Sequence, residues 1–205
     1  MEKRTGGLFM SFVSIIATNQ WISAVSDGNL VEITLEGTCR VCPGQKASFI
    51  QISEQQFIAC TGSRSIRNKI KGDFPFSENP YVFDDVILEQ LKREVQTVPN
   101  QWQDVLLVVG ETVQQVECRM ISNQTNSDWV TIHPQLVRAG TLFMAGKGID
   151  EHKIKLIAEE FNRLIRTHGQ DDLKNVIRAQ NKLNRLATTL DPTIGSRVFH
   201  LLIKK

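Results

Sequence analysis

Apolar runs and short polar breaks alternate from the start of the chain. Residues 12–18 and 21–26 are rich in Val, Ile and aromatic side chains and meet at Asn19-Gln20, a hairpin pattern. Asp27-Gly28-Asn29 turns the chain. Val31, Ile33 and Leu35 then alternate with Glu32 and Thr34, as in a half-buried strand. Residues 37–44, with Cys39, Cys42 and Pro43, read as a loop. Residues 48–52 and 56–61 form another strand pair, turning at Ser53-Glu54. Residues 104–109 are a continuous apolar run, as expected for a strand covered on both faces. Gly110-Glu111 turns this run into residues 113–121, where Val116, Cys118 and Met120 alternate with Glu117 and Arg119. A polar tip at 122–128 leads to a strand at 129–133. Residues 141–145 and 197–203 complete the set.

Helical spacing takes over between these strands. Thr61-Gly62-Ser63 opens a helix in which Ile66 and Ile70 lie four apart. After the breaker region 72–80, a helix over 83–96 puts Phe83, Val86, Ile87, Leu91 and Val95 on one face. Ile154, Ile157, Ala158, Phe161, Leu164 and Ile165 mark a helix over 151–168, stopped by His168-Gly169. Asp171 or Asp172 caps another over 172–190, with Leu173, Val176, Ile177, Leu183, Leu186 and Leu190 inward and Asp191-Pro192 at its end. Apolar strands with one-sided helices predict sheets sandwiched between helical layers. Strands 12–18, 21–26, 48–52 and 56–61 are expected in one sheet. Strands 104–109, 113–121 and 129–133 are expected in the other.

Composition narrows the class without naming an activity. The 205 residues suit a single domain, 1–205, with residues 1–9 as an N-terminal extension. The net charge of +2 argues against nucleic acid as the default partner, and no apolar run is long enough for a membrane helix. A cytoplasmic protein is expected. The alternative is an exported one, with residues 8–17 as the apolar core of a signal peptide and Ala24-Val25-Ser26 as its cleavage site.

Most candidate chemistry dissolves on inspection. Cys39-Arg-Val-Cys42 has C-x-x-C spacing, but no second pair completes a zinc site and no helix follows as in a redox motif. Residues 140–148 fail the phosphate-loop spacing. His133 and His200 are expected in strands, His152 and His168 at helix ends, with no metal spacing among them. Asn123-Gln-Thr125 is a glycosylation triplet that matters only in an exported chain. No cofactor and no metal are expected.

Three segments carry a resemblance. Residues 11–27 form a strand, hairpin and strand ending in Ala24-Val25-Ser26-Asp27. Residues 49–63 form two strands running into Thr61-Gly62-Ser63 and a helix. Residues 191–205 hold Asp191-Pro-Thr-Ile-Gly195 and a last strand. Together with the element order they resemble the N-terminal-nucleophile hydrolase superfamily, specifically proteasome β-type subunits. The resemblance implies an α+β, four-layer αββα sandwich and self-association into a homo-oligomer, without nucleic acid or membrane.

It also implies a chemistry. In that family the first residue of the processed chain is the nucleophile, and its own α-amine, of pKa about 7.7–8.0, is the general base. A lysine eases the developing charge and a backbone N–H binds the oxyanion. By the family's spacing, Ser11 is the nucleophile, Asp27 the aspartate closing the second strand, Gly62 the oxyanion glycine and Asp191 the aspartate of the late turn. The lysine's position holds Ser48, so the candidate lysine is Lys46, two residues earlier and about 6.6 Å along a strand. Asn29, Ile194 and Gly146-Lys147-Gly148 also depart from the family's pattern. Ser11 follows Met10 in this chain, so its nitrogen is an amide. Two function classes follow. One is a proteasome β-like binding or assembly protein without peptidase activity as the full-length chain. The other is an amide or peptide hydrolase using Ser11 after trimming or initiation at Met10. Whether the chain is an enzyme stays open at this stage.

Overall fold

The computed structural model describes residues 8–9, 11–33, 39–101, 104–135, 139–145, 148–169 and 172–205. Twelve strands and four helices are described, in the order β1 (Leu8–Phe9), β2 (Val13–Ala17), β3 (Trp21–Asp27), β4 (Asn29–Ile33), β5 (Cys39–Gln45), β6 (Phe49–Ser53), β7 (Gln56–Ser63), α1 (Arg64–Asp73), α2 (Asp85–Gln96), β8 (Leu106–Glu111), β9 (Glu117–Ser122), β10 (Val130–Ile132), β11 (Gly140–Met144), α3 (Glu151–His168), α4 (Leu173–Leu190) and β12 (Val198–Lys204). One sheet runs β11-β2-β3-β12. The other runs β1-β7-β8-β9-β10, with β6 also paired to β7.

Each strand's alternation feeds two cores. Val13, Ile15 and Ala17 of β2 face Phe57 and Ala59 of β7 and Val108 of β8 between the sheets. Phe12 and Ile16, in the other phase, pack against Ile157, Phe161 and Leu164 of α3 and Val176 and Leu183 of α4. Ile58 and Cys60 of β7 and Leu107 and Val109 of β8 pack against Ile66 and Ile70 of α1 and Leu91 and Val95 of α2. Helices thus cover both outer faces, and the αββα sandwich follows from strands buried on both sides. Each helix starts at a side-chain cap: Ser63, Asp84, Asp150 and Asp172 accept from N–H groups of the first turn. Gly169, at φ 80°, closes α3.

The expected division of strands between sheets is corrected. β2 and β3 pair with β11 and β12, whereas β6 and β7 belong with β8, β9 and β10. A strand with both faces apolar fits either sheet. The ladder that joins Gln56–Thr61 to residues 106–111 decides the matter. The loop expected at 37–44 is instead largely strand: β5 pairs with β4 as a separate two-stranded sheet. β8 runs on through Gly110-Glu111, so the turn lies at 112–116 and β9 starts only at Glu117. Residues 8 and 9 of the expected extension form β1, antiparallel to Gly62 and Ser63 of β7.

Val86 and Glu117 sit differently from their expected faces, and Gln180 adds a buried polar link. Val86 is 75% exposed, because Ile87 and Leu88 take the inner side of α2. Gln180 of α4 is fully buried. Its amide donates to the carbonyls of Ser14 and Ser23, and its oxygen accepts from the Ser23 hydroxyl at 2.6 Å, tying α4 to β2 and β3. Glu117, expected outward, is buried. It pairs with Arg119, which also reaches Glu111 on the opposite strand at 3.3 Å. Burial is the largest cause pushing the Glu111 carboxyl above its ordinary value.

A cut after Ser26 would remove β2 and β3, the two inner strands of their sheet. No helix among the described residues is long and apolar enough to cross a membrane.

Candidate active site

The start of β2, the end of β3 and the turn after α4 converge on Asp27. Its carboxylate is fully buried. One oxygen accepts from the N–H of Phe12 at 2.9 Å. The other accepts from the N–H of Gly195 at 2.8 Å and of Asn29 at 3.3 Å. The Phe12 bond fixes the residue that follows Ser11. The Gly195 bond fixes the late turn. Burial pushes the Asp27 pKa up to about 6, against the lowering effect of these three N–H groups, and Asp191 adds a smaller push in the same direction.

Asp191 ends α4 and is itself buried, its carboxylate accepting from the N–H and the hydroxyl of Thr193 at 2.9 and 2.6 Å. Asn29 closes the turn from the other side, donating to the Thr193 carbonyl at 3.1 Å. A Cβ on Gly195 would meet the Asn29 side chain at 2.6 Å, so the turn takes glycine there. Asn184 of α4 donates to the Gly195 carbonyl at 2.9 Å.

Ser11 is 1% exposed, and among the described residues its hydroxyl has no hydrogen-bond partner. The hydroxyls of Ser48 and Thr61 are likewise buried without a partner among the described residues. An unpaired buried hydroxyl carries a desolvation cost, and such groups gather where function constrains a structure. Ser48, to which the resemblance assigns the family's lysine position, donates its N–H to the Ser26 hydroxyl at 3.1 Å, beside Asp27. Thr61 extends the inward phase of Phe57 and Ala59.

Gly62 closes β7 with φ +87°, a conformation that favours glycine, and the Asp104 carbonyl packs where its Cβ would lie. The N–H of Cys60 leaves β7 toward β6, donating to the Ser48 carbonyl at 2.8 Å. Gly62 is next in that phase along the same edge, and its register partner there is Phe9. The arm before Ser11 thus lies over the candidate oxyanion glycine.

Of the predicted site residues, the structure gathers Asp27, Asp191 and the Ser11–Phe12 step. It places Gly62 beside the arm that leads to Ser11. Lys46 is exposed, lies between β5 and β6 rather than on a strand, and donates its N–H to the carbonyl of Gly28, the residue after Asp27. Gly146 and Lys147 lie outside the described residues. Phe12, Thr61 and Ser26 went unnoticed in the sequence. Their contributions are a backbone N–H and two small hydroxyls, which carry no signature of spacing.

The remaining candidates have structural duties or inert surroundings. β5 holds both Cys39 and Cys42. In an extended strand, residues three apart lie about 10 Å from one another. A disulfide spans only ~4.4–6.8 Å between Cα atoms. Burial raises the thiols of Cys60 and Cys118 to about 12, so both stay protonated near neutrality. The Asn123 side chain accepts from the Val105 N–H and donates to the Val98 carbonyl, both at 2.9 Å, so a glycan there would disturb one buried and one part-buried link. His133 lies just past β10, exposed, 3.7 Å from Glu117. His200 is on β12, and burial lowers its pKa. Among the described residues, no group of three His, Cys, Asp or Glu is placed to hold a metal ion.

No protein-family model matches the chain, and no curated protein sequence does. Solved structures match over almost all of it. A crystal structure of eukaryotic HslV from Trypanosoma brucei is similar at 16% identity and a TM-score of 0.50, over 95% of this chain and 99% of that one. Anbu, the ancestral β-subunit from Yersinia bercovieri, is similar at 9% identity and a TM-score of 0.60, over 94% of this chain and 81% of that one. At such identities the likeness is one of fold, and the chain has the proteasome β-type, N-terminal-nucleophile αββα fold.

Proposed function

We propose that the full-length chain is a proteasome β-like protein without peptidase activity, working through binding or assembly as a single cytoplasmic domain. The pairing of Leu8–Phe9 with Gly62–Ser63 carries this reading. It covers the edge on which an oxyanion would be held, and it belongs to the segment whose peptide bond consumes the Ser11 amine. An amide nitrogen cannot act as the base that an α-amine of pKa about 8 provides.

Peptides and simple amides should go unhydrolysed by the full-length chain across a broad panel. Turnover that disappears on Ser11→Ala would overturn the reading. The second reading, a hydrolase using Ser11 as an N-terminal residue, draws support from the unpartnered Ser11 hydroxyl and the Asp27 bond to Phe12. A chain beginning at Ser11 tests it, and silence on the same panel would end it. Silence is the expected outcome, because Ser48 stands at the lysine position and Lys46 faces solvent.

The resemblance also implies a homo-oligomer. Sedimentation should show a dimer or larger assembly. A monomer at every concentration would remove the assembly half of the proposal.

A further inference from the structure

A crevice of about 360 Å³ opens between α3 and β11, the edge strand of the β11-β2-β3-β12 sheet. That volume falls at the small end of the roughly 300–1,000 Å³ of small-molecule sites. The periods of its walls grade it from apolar floor to polar lip. Thr141 stands opposite Ile16 in the β11–β2 ladder, so both face the helices, but Ile16 lies on an inner strand and is buried while Thr141 is exposed on the edge. On α3, Phe161 and Ile165 lie four apart on the inner stripe, and Asn162 and Arg166 form the next stripe outward. Val176 of α4 completes the floor and is buried. Asn162 and Arg166 are exposed.

Arg166 bears the one charge among the described residues that line the crevice. Among the described residues it donates no hydrogen bond and meets no carboxylate. Arg163, one turn earlier, is by contrast held by both oxygens of Glu160 at 2.7 Å. A free guanidinium offers a planar fork that matches a carboxylate. The apolar floor rewards a hydrocarbon. An inorganic anion would use the lip alone and an alcohol the floor alone, whereas a molecule with a carboxylate at the end of an aliphatic chain uses both.

We propose that the crevice between β11 and α3 binds a medium-chain aliphatic carboxylate, with its carboxylate on Arg166 and its chain against Ile16, Phe161 and Val176. The Thr141 hydroxyl and the Asn162 amide stand at the lip beside the carboxylate. Ile16 is five residues along the chain from Ser11, about 16 Å in a strand, so this site is separate from the candidate active site. It goes beyond both readings of function above and depends on neither.

The test titrates octanoate into the full-length chain at neutral pH. The amide resonances of Thr141, Phe161 and Ile165 report binding, and Leu107 in the middle of β8 is the remote control. Octanoate at millimolar concentration should move the first three saturably and leave Leu107 in place. Hexanoate should bind about 15-fold more weakly, at about fourfold per CH₂. Arg166→Gln should weaken octanoate about tenfold or more, as expected for a lost charge-assisted bond, and leave 1-octanol unchanged. Arg166→Lys should restore part of the loss. The absence of a saturable shift overturns the site, as does a shift that spreads equally to Leu107. Acetate binding as tightly as octanoate shows an adventitious ion only and overturns the role of the floor. Equal octanoate affinity in a folded Arg166→Gln variant overturns the role of Arg166. If that variant does not fold, the comparison of octanoate with 1-octanol on the unmodified chain decides, and equal affinities overturn the proposal. Peptide hydrolysis is read separately, and neither turnover nor silence there bears on this site.

Discussion

Gly62→Ala should lower the thermal midpoint by about 5–15 °C, at roughly 2–4 °C per kcal/mol for a chain of this size. Two costs add. An alanine at φ +87° is disfavoured by roughly 1–2 kcal/mol. Its Cβ would also lie 2.1 Å from the Asp104 carbonyl oxygen, a backbone atom that moves only if the approach to β8 moves. Overpacking of that kind costs about 1–3 kcal/mol. Gly72→Ala is the control. It lies in α1 with nothing within 4 Å of its would-be Cβ, so alanine there should be neutral or slightly stabilising. Differential scanning calorimetry of the two variants reads the contrast. Equal midpoints would mean that the strained turn at Gly62 does not exist in solution.

Asp27→Ala should cost about 3–6 kcal/mol at pH 5, because it leaves the N–H groups of Phe12, Gly195 and Asn29 without their acceptor, at roughly 1–3 kcal/mol each. The deficit should shrink toward pH 8, and the sign follows from the pKa. In the folded chain Asp27 titrates at about 6, above its ordinary 3.8, so the native state holds its proton more tightly than the unfolded one. The stabilisation from this group is therefore complete below pH 3.8, falls as pH rises from about 4 to 6, and is gone above that window. Its size is about 3 kcal/mol. Asp27→Asn should lose that slope while keeping one acceptor oxygen. Urea denaturation of the native chain and both variants between pH 4 and 8 measures it. Parallel pH profiles for the native chain and Asp27→Asn would show that Asp27 is not the buried, proton-holding carboxyl described.

The order and type of the elements are largely legible in the sequence. Ile66 and Ile70, or Ile157, Phe161 and Leu164, are inward at the expected spacing because a helix has one apolar stripe. Val86 faces solvent although its spacing fits the stripe, because neighbouring apolar positions on α2 compete for it and Ile87 and Leu88 take it. Cys39 and Cys42 were read as loop residues from Pro43 and Gly44. Pairing with β4 overrode that punctuation.

What the sequence by itself determined was the layering. Runs such as residues 12–17 and 56–61 are apolar in both phases of their alternation, so they demand cover on both sides, and the one-sided helices supply half of it. Short motifs at family spacing name Ser11, Asp27, Gly62 and Asp191 as candidates. Which sheet each strand joins was decided only in three dimensions, because a strand buried on both faces carries no mark of its partner. The same holds for the site. Asp27 owes its geometry and its raised pKa to backbone N–H groups of Phe12, Asn29 and Gly195 and to burial, and every non-proline residue has an N–H. The closing of the Gly62 edge by Leu8–Phe9 is again a backbone pairing, set by where the chain runs and not by which side chains it bears.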